Sequence, residues 1–251
     1  MFMNKEVKIM ERRMEYRIFG NFNTGKGTTN RLDYGGADDG DIELKVVVGC
    51  DCTRDTEKAD IGVKDFANAW GEYLKDNEET LWENDSEENR SLLGDFTRKV
   101  LEKIANDICC SVTELGSTVM AVIVNETKKR WMVFHLGDGA IMRKNNEDNI
   151  YSFLSEPIYK PFQSFTYLTT SRNFERKLDI QKGVLRNIEG FALVAEKVFE
   201  NDISRLTITK KICNMISERG VDQACGEQGI AAICIKSDCQ KENGGRKAVS
   251  A

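Results

Sequence analysis

The chain has 251 residues, enough to bury a substantial core in one large domain or two small ones. Its 31% charged and 40% apolar residues are those of an ordinary globular protein, and the net charge of -5 argues against nucleic acid as a partner, which wants a basic face. No apolar run is long enough to cross a bilayer, and the charged segment Met1–Met14 lacks the apolar block of a secretory signal, so a cytoplasmic location is expected. The eight cysteines, at 50, 52, 109, 110, 213, 225, 234 and 239, form no CxxC pair. Reduced, mostly buried thiols are expected; a structural zinc is the alternative.

In chain order, short β-branched or aromatic runs predict strands over Glu15–Phe19, Leu44–Val48, Thr118–Val124, Trp131–Leu136, Ile150–Leu154, Ser164–Leu168, Gly190–Ala195 and Ile230–Ile235. Thr118–Val124 and Trp131–Leu136 are joined by a polar link of hairpin length. Helical spacing predicts helices over Asp60–Leu74, Ser91–Cys110 and Asp202–Arg219, the last closing at Gly220. Their apolar stripes read as core faces. Lys75–Arg90, dense in Asp, Glu and Asn, reads as a solvated loop, with an acidic partner-binding patch as the alternative. The segment around Gly27 lacks the glycine spacing of a phosphate-binding loop. Residues 1–14 read as an extension, 15–236 as the folded domain and 237–251 as a flexible tail. Strand runs with segregated helices imply an α+β sandwich.

The chemistry-bearing pattern is the recurrence of acidic residues at strand ends. Asp51 follows Val46–Cys50, Asp138 stands in Leu136-Gly137-Asp138-Gly139, and Glu196 follows Phe191–Ala195. Glu227 precedes Ile230–Ile235, and Asp33 lies in the polar loop before Leu44. Carboxylates gathered on one sheet rim repel one another unless a hard divalent cation such as Mg²⁺ or Mn²⁺ neutralises them. His135, on an apolar strand, reads as a hydrogen-bonded core histidine rather than a base. Ser117 and Thr118 read as a strand start rather than a nucleophile, since no base is in view. Trp70, Trp82 and Trp131 read as packing residues.

Several motifs together resemble the metal-dependent protein phosphatases of the 2C type. They are Gly116-Ser117-Thr118, Phe134-His135-Leu136-Gly137-Asp138-Gly139, Val46–Cys52, Asp60-Ile61-Gly62, Phe165–Thr169, Gly190–Val198 and Gly226–Ala231, in order between Tyr16 and Lys236. The resemblance implies a four-layer sandwich, two central antiparallel sheets flanked by helices, with two Mn²⁺ or Mg²⁺ ions at one rim. It implies that Asp51 bridges the metals, that the Cys52 carbonyl holds one of them, and that Glu196 and Glu227 stand where the family has aspartate ligands. Asp138 then matches an aspartate serving a further metal, and Asp33 the first acidic motif. The implied reaction is hydrolysis of phosphoserine or phosphothreonine in a protein substrate by a metal-bridged hydroxide. This sequence departs from the pattern in five places: Cys52 replaces a glycine, Thr53 a histidine, Lys197 a glycine, and Glu196 and Glu227 replace aspartates. A catalytically inactive binding or regulatory module is therefore the alternative, and a phosphatase of a small metabolite a third reading.

Overall fold

The computed structural model describes residues 21–23, 29–31, 44–50, 56–145, 151–157, 166–195 and 230–234. In these lie β1 (Asn21–Asn23), β2 (Thr29–Arg31), β3 (Leu44–Gly49), α1 (Glu57–Asp76), α2 (Glu78–Glu83), α3 (Ser86–Asp107), β4 (Val119–Asn125), β5 (Arg130–Leu136) and β6 (Ala140–Asn145). They continue with β7 (Tyr151–Ser155), β8 (Asp179–Val184), β9 (Ile188–Val194) and β10 (Ile230–Cys234); single 3₁₀ turns cover Val112–Leu115 and Phe174–Lys177. The predicted strand Glu15–Phe19, the helix Asp202–Arg219, the N-terminal extension and the tail lie outside the described residues.

β4 and β5 are built from residues buried at every position, the mark of strands covered on both faces. They form the middle of an antiparallel sheet of order β3-β4-β5-β8; a second antiparallel sheet has the order β10-β9-β6-β7. The alternation along β5 sorts the two faces. Phe134 meets Trp70 of α1 at 6.5 Å between ring centroids, so the even-numbered residues face the helices. Trp131 meets Phe191 of β9 at 5.6 Å, so the odd-numbered residues face the second sheet. The fold is an α+β sandwich, with helices on one sheet and two sheets face to face. On the outer face of the second sheet Ala140, Met142, Ala192 and Val194 are fully buried too. That burial is what a fourth layer would produce.

α1 begins three residues before its predicted start because the Thr56 side chain caps it, accepting from the Ala59 N–H at 3.2 Å. Trp70 is fully buried, and its indole N–H donates to Thr97 of α3 at 3.1 Å, while Tyr73 stacks on Phe96 at 4.0 Å. The aromatic stripe of α1 thus faces the core, as its spacing predicts.

Lys75–Arg90 is not a solvated loop. It contains α2 and the first turn of α3, which starts at Ser86. Asp85 accepts from the backbone of Glu87 and Glu88 at 2.8 and 2.9 Å, and Glu88 accepts in return from the Asp85 N–H at 2.9 Å, a complete capping box. Asp85→Ala is expected to remove about 1 kcal/mol of stability, measured by urea unfolding. α2 turns Leu81 and Glu78 inward, and Lys182 of β8 donates to the carbonyls of Leu81, Trp82 and Asn84 at its C-terminal end. Its acidic residues answer basic groups of the sheet, which the acid-rich sequence conceals.

Three other expectations change. Residues 166–168 are irregular rather than strand, because the loop they open is tied to the start of β4: the Thr169 N–H donates to the Ser117 carbonyl at 2.9 Å. β6 and β8 were not anticipated; Arg143, Lys144, Gln181 and Lys182 interrupt their apolar pattern. Of the cysteines, Cys50 is buried but Cys109 is exposed just past the end of α3, with φ of 54°; these two and Cys110 are free thiols. Among the described residues no helix is long and apolar enough to cross a membrane.

Candidate active-site rim

Strand register defines one rim. Gly49, the last residue of β3, pairs with Met120 of β4, and Val119, the first residue of β4, pairs with Leu136, the last of β5. In the second sheet Val194, the last residue of β9, pairs with both Ala140, the first of β6, and Ile230, the first of β10. Residues Gly137-Asp138-Gly139 carry the chain from Leu136 in one sheet to Ala140 in the other. This turn joins the two sheets at the rim where β3, β5 and β9 end and β4, β6 and β10 begin.

Both glycines of the turn are dictated by packing. Gly137 has φ of +124°, which side chains on an L-residue rarely adopt, and a Cβ there would sit 2.5 Å from Thr118 Cγ2. A Cβ on Gly139 would sit 2.6 Å from Met120 Sδ and 2.8 Å from the Val194 carbonyl oxygen, so the turn lies flush against both sheets. Asp138 between them is half-buried. Ser117, opposite, is fully buried with its hydroxyl 3.3 Å from that of Thr169, and its backbone N–H also donates to Thr169 Oγ1 at 3.3 Å. Ser117 stands two residues before β4, a structural position at the strand's approach. Thr169 closes the Phe165–Thr169 motif, but its pairing with Ser117, 52 residues away, leaves no local mark.

His135 lies three residues before Asp138, buried and facing the second sheet. Ser155 of β7 donates to Asp179 Oδ2 at 2.5 Å, and Ser155 Oγ lies 2.7 Å from His135 Nδ1. The one hydroxyl proton goes to the carboxylate, so Nδ1–H of the ring donates to Ser155 and the Nε2 lone pair has no partner. Gln181 also donates to Asp179 Oδ2, at 2.9 Å. The expectation of a hydrogen-bonded core histidine holds at Nδ1. Neither Ser155 nor Asp179 could be paired with His135 from sequence, since they come from different strands.

Burial drives the His135 pKa down from 6.5 to about 4, against a smaller opposing pull from Asp179. The unfolded chain therefore binds the proton more readily. Stability from this group is complete above about pH 6.5 and is lost as pH falls toward 4, by roughly 3 kcal/mol. Urea unfolding at pH 7 and pH 4 should show that loss, and His135→Gln should shrink it; an unchanged difference would refute the assignment.

Of the residues the sequence nominates as metal ligands, Asp138 stands on this rim. Asp33, Asp51, Cys52, Glu196 and Glu227 lie outside the described residues. Among the described residues no three His, Cys, Asp or Glu side chains come together to hold a metal. The nominated set, five carboxylates and one carbonyl, is a hard oxygen set of the kind that suits Mg²⁺ or Mn²⁺.

The family model described as protein phosphatase 2C matches residues 40–223, well over half of the chain. This chain belongs to the protein phosphatase 2C family. No curated protein sequence matches it. Among solved structures, a bacterial serine phosphatase is 14% identical with a TM-score of 0.48, over 78% of this chain and 87% of the other. Serine/threonine phosphatase Stp1 from Staphylococcus aureus is 13% identical with a TM-score of 0.47, over 88% of each chain. PppA, a key regulatory component of T6SS in Pseudomonas aeruginosa, is 11% identical with a TM-score of 0.42, over 74% and 83%. The 2C family match covers the stretch that carries Gly116-Ser117-Thr118 and Gly137-Asp138-Gly139, as the sequence motifs anticipate.

Proposed function

We propose that this 2C-family chain is a cytoplasmic protein serine/threonine phosphatase whose active site is the rim around Gly137-Asp138-Gly139. The observation that carries the reading is the shared rim: β3, β5 and β9 end there and β10 begins there. In sequence, Asp51 comes one residue after Cys50, Glu196 one residue after Ala195, and Glu227 three residues before Ile230. Two Mn²⁺ or Mg²⁺ ions would be held by Asp51, Glu196 and Glu227, with the Cys52 carbonyl, Asp138 and Asp33 completing the set. When bound, such ions supply Lewis acidity toward water and toward the phosphoryl oxygens. The chain's own part is to hold that charge cluster rigid. Gly137 and Gly139 fix the Asp138 backbone between the sheets, and Thr118 and Met120 wall the turn from below.

Hydrolysis of p-nitrophenyl phosphate with and without Mn²⁺ tests this, with Asp51→Asn as the control. Mn²⁺-dependent turnover that the substitution abolishes is expected. Turnover unaffected by Asp51→Asn would sink the site, and a phosphoprotein panel against small phosphorylated metabolites would then settle the substrate class.

A second reading, a binding or regulatory module without catalysis, is favoured by Cys52, Thr53 and Lys197 in place of glycine, histidine and glycine. A cysteine resists backbone angles open to glycine, and an ammonium beside Glu196 would compete with a cation. Calorimetric titration with Mn²⁺ separates the readings: stoichiometric binding removed by Asp51→Asn counts against the inert module.

A further inference from the structure

At the pole opposite the Asp138 rim, where β5, β6 and β9 meet the turn between β8 and β9, the sandwich opens into a pocket of about 380 Å³. That is within the roughly 300–1,000 Å³ of small-molecule sites. Trp131, Arg143, Asn145, Gly183, Arg186 and Asn187 line it. It lies roughly 17 Å along β5 from Leu136, so it is separate from the proposed catalytic rim.

Arg143 is the residue out of place. Ile141, two positions earlier on β6, belongs to the core between the sheets, and Arg143 pairs in register with Phe191, whose ring packs on Trp131 of the opposite sheet. Alternation along the strand therefore points Arg143 to the inter-sheet side, where an apolar residue would ordinarily continue the core. Arg186 reaches the same pocket from the β8–β9 turn, where Asn187 adopts φ of 58°. Neither guanidinium has a hydrogen-bond or ion-pair partner among the described residues. Arg98 is paired with Asp95 and Glu175, and Arg130 with Glu78 and Glu79. In a chain of net charge -5, two guanidiniums without a counter-charge among the described residues converge on one pocket, an arrangement suited to an anion. Asn145 and Asn187 add amide side chains to its wall.

We infer that this pocket binds a small multiply charged oxyanion, either a phosphate ester or a polycarboxylate, held between Arg143 and Arg186. Trp131 forms part of the wall, its indole N–H committed to the Val184 carbonyl at 3.1 Å, so it is placed to report occupancy by fluorescence. The site owes nothing to a divalent metal.

The test is titration of the full chain in EDTA with AMP and, separately, citrate, following tryptophan emission. Saturable binding with a dissociation constant of about 1 mM or tighter is expected for at least one of them. AMP alone would identify the phosphate ester as the ligand class, and citrate alone the polycarboxylate. Arg143→Gln and Arg186→Gln should each weaken binding by about tenfold or more, Trp131→Phe should remove the signal, and Asp51→Asn should change nothing. Arg186 is exposed on a turn, so Arg186→Gln keeps the test valid if Arg143→Gln impairs folding. Absence of saturation with both ligands, or equal binding by both arginine variants and the parent, would overturn the proposal. EDTA keeps that outcome distinct from failure of the catalytic reading, which requires metal.

Discussion

Glu78→Ala is expected to destabilise the protein by about 3–5 kcal/mol, because it would strand the buried guanidinium of Arg130. Glu78 and Arg130 are the one strongly coupled charge pair buried under the first sheet among the described residues, and their geometry is bidentate: Nε to Oε1 and Nη2 to Oε2, both at 2.8 Å. Arg130 Nη2 also donates to Glu79 Oε2 at 2.7 Å, and its guanidinium lies over the Trp82 ring at 4.8 Å. Glu78 holds the Arg130 proton more firmly still, raising the guanidinium pKa above its ordinary value. Removing the carboxylate leaves a desolvated cation whose exposed second partner, Glu79, replaces only part of what is lost. Removing both charges is a different matter. Glu78→Leu with Arg130→Met should recover most of the loss, since a well-packed apolar pair of similar volume avoids desolvation altogether. Urea unfolding of the single and double variants checks this. A Glu78→Ala loss below about 1 kcal/mol would place the pair among weak surface bridges instead.

Gly137→Ala should destabilise by about 2–4 kcal/mol, through two separable effects. The φ of +124° strains any residue bearing a Cβ, and the added atom would lie 2.5 and 2.6 Å from Thr118 Cγ2 and Cβ. Thr118→Ala in the same chain removes Cγ2 but leaves Thr118 Cβ's replacement and the backbone strain, so it should restore only part of the loss. Full restoration would mean that the Thr118 Cγ2 contact alone held the glycine; no restoration would mean that the dihedral and the contact with the residue 118 Cβ do so without it. If the turn carries Asp138 at an active rim, Gly137→Ala should also lower Mn²⁺-dependent turnover by more than its effect on the folded fraction. Both readouts come from one protein preparation.

The two substitutions differ in how far the sequence foretells them. Gly-Asp-Gly is visible as a motif, and its place after an apolar strand is visible too. That Gly137 must be glycine follows only from Thr118, nineteen residues earlier, and Gly139 from Met120 and Val194. Glu78 offers no sign at all. Within Lys75–Arg90 it is one acid among many, and a six-residue helix has too few turns to reveal a face. Its burial depends on Arg130, 52 positions on, which arrives beside it only once β5 is in the sheet.

Some features rest on the sequence alone. The apolar stripes of α1 and α3 are legible because each buries one face at a period of 3.6, and the runs of β3, β4, β5 and β9 because strands covered on both faces are apolar nearly throughout; β10 shows as an apolar run too. The order of motifs was enough to identify the 2C family. What waited on tertiary structure is what depends on two distant segments meeting. β6 and β8, whose apolar patterns are broken by charged or polar residues, exist because neighbouring strands supply their hydrogen bonds. His135 is held neutral because closure of the two sheets buries it, and its ring is oriented by Ser155, itself tied to Asp179, from two other strands. Arg143 has no partner among the described residues because the sandwich opens beside it. Periodicity is local and survives in a string of letters; a contact between residues far apart in the chain exists only after the backbone has closed.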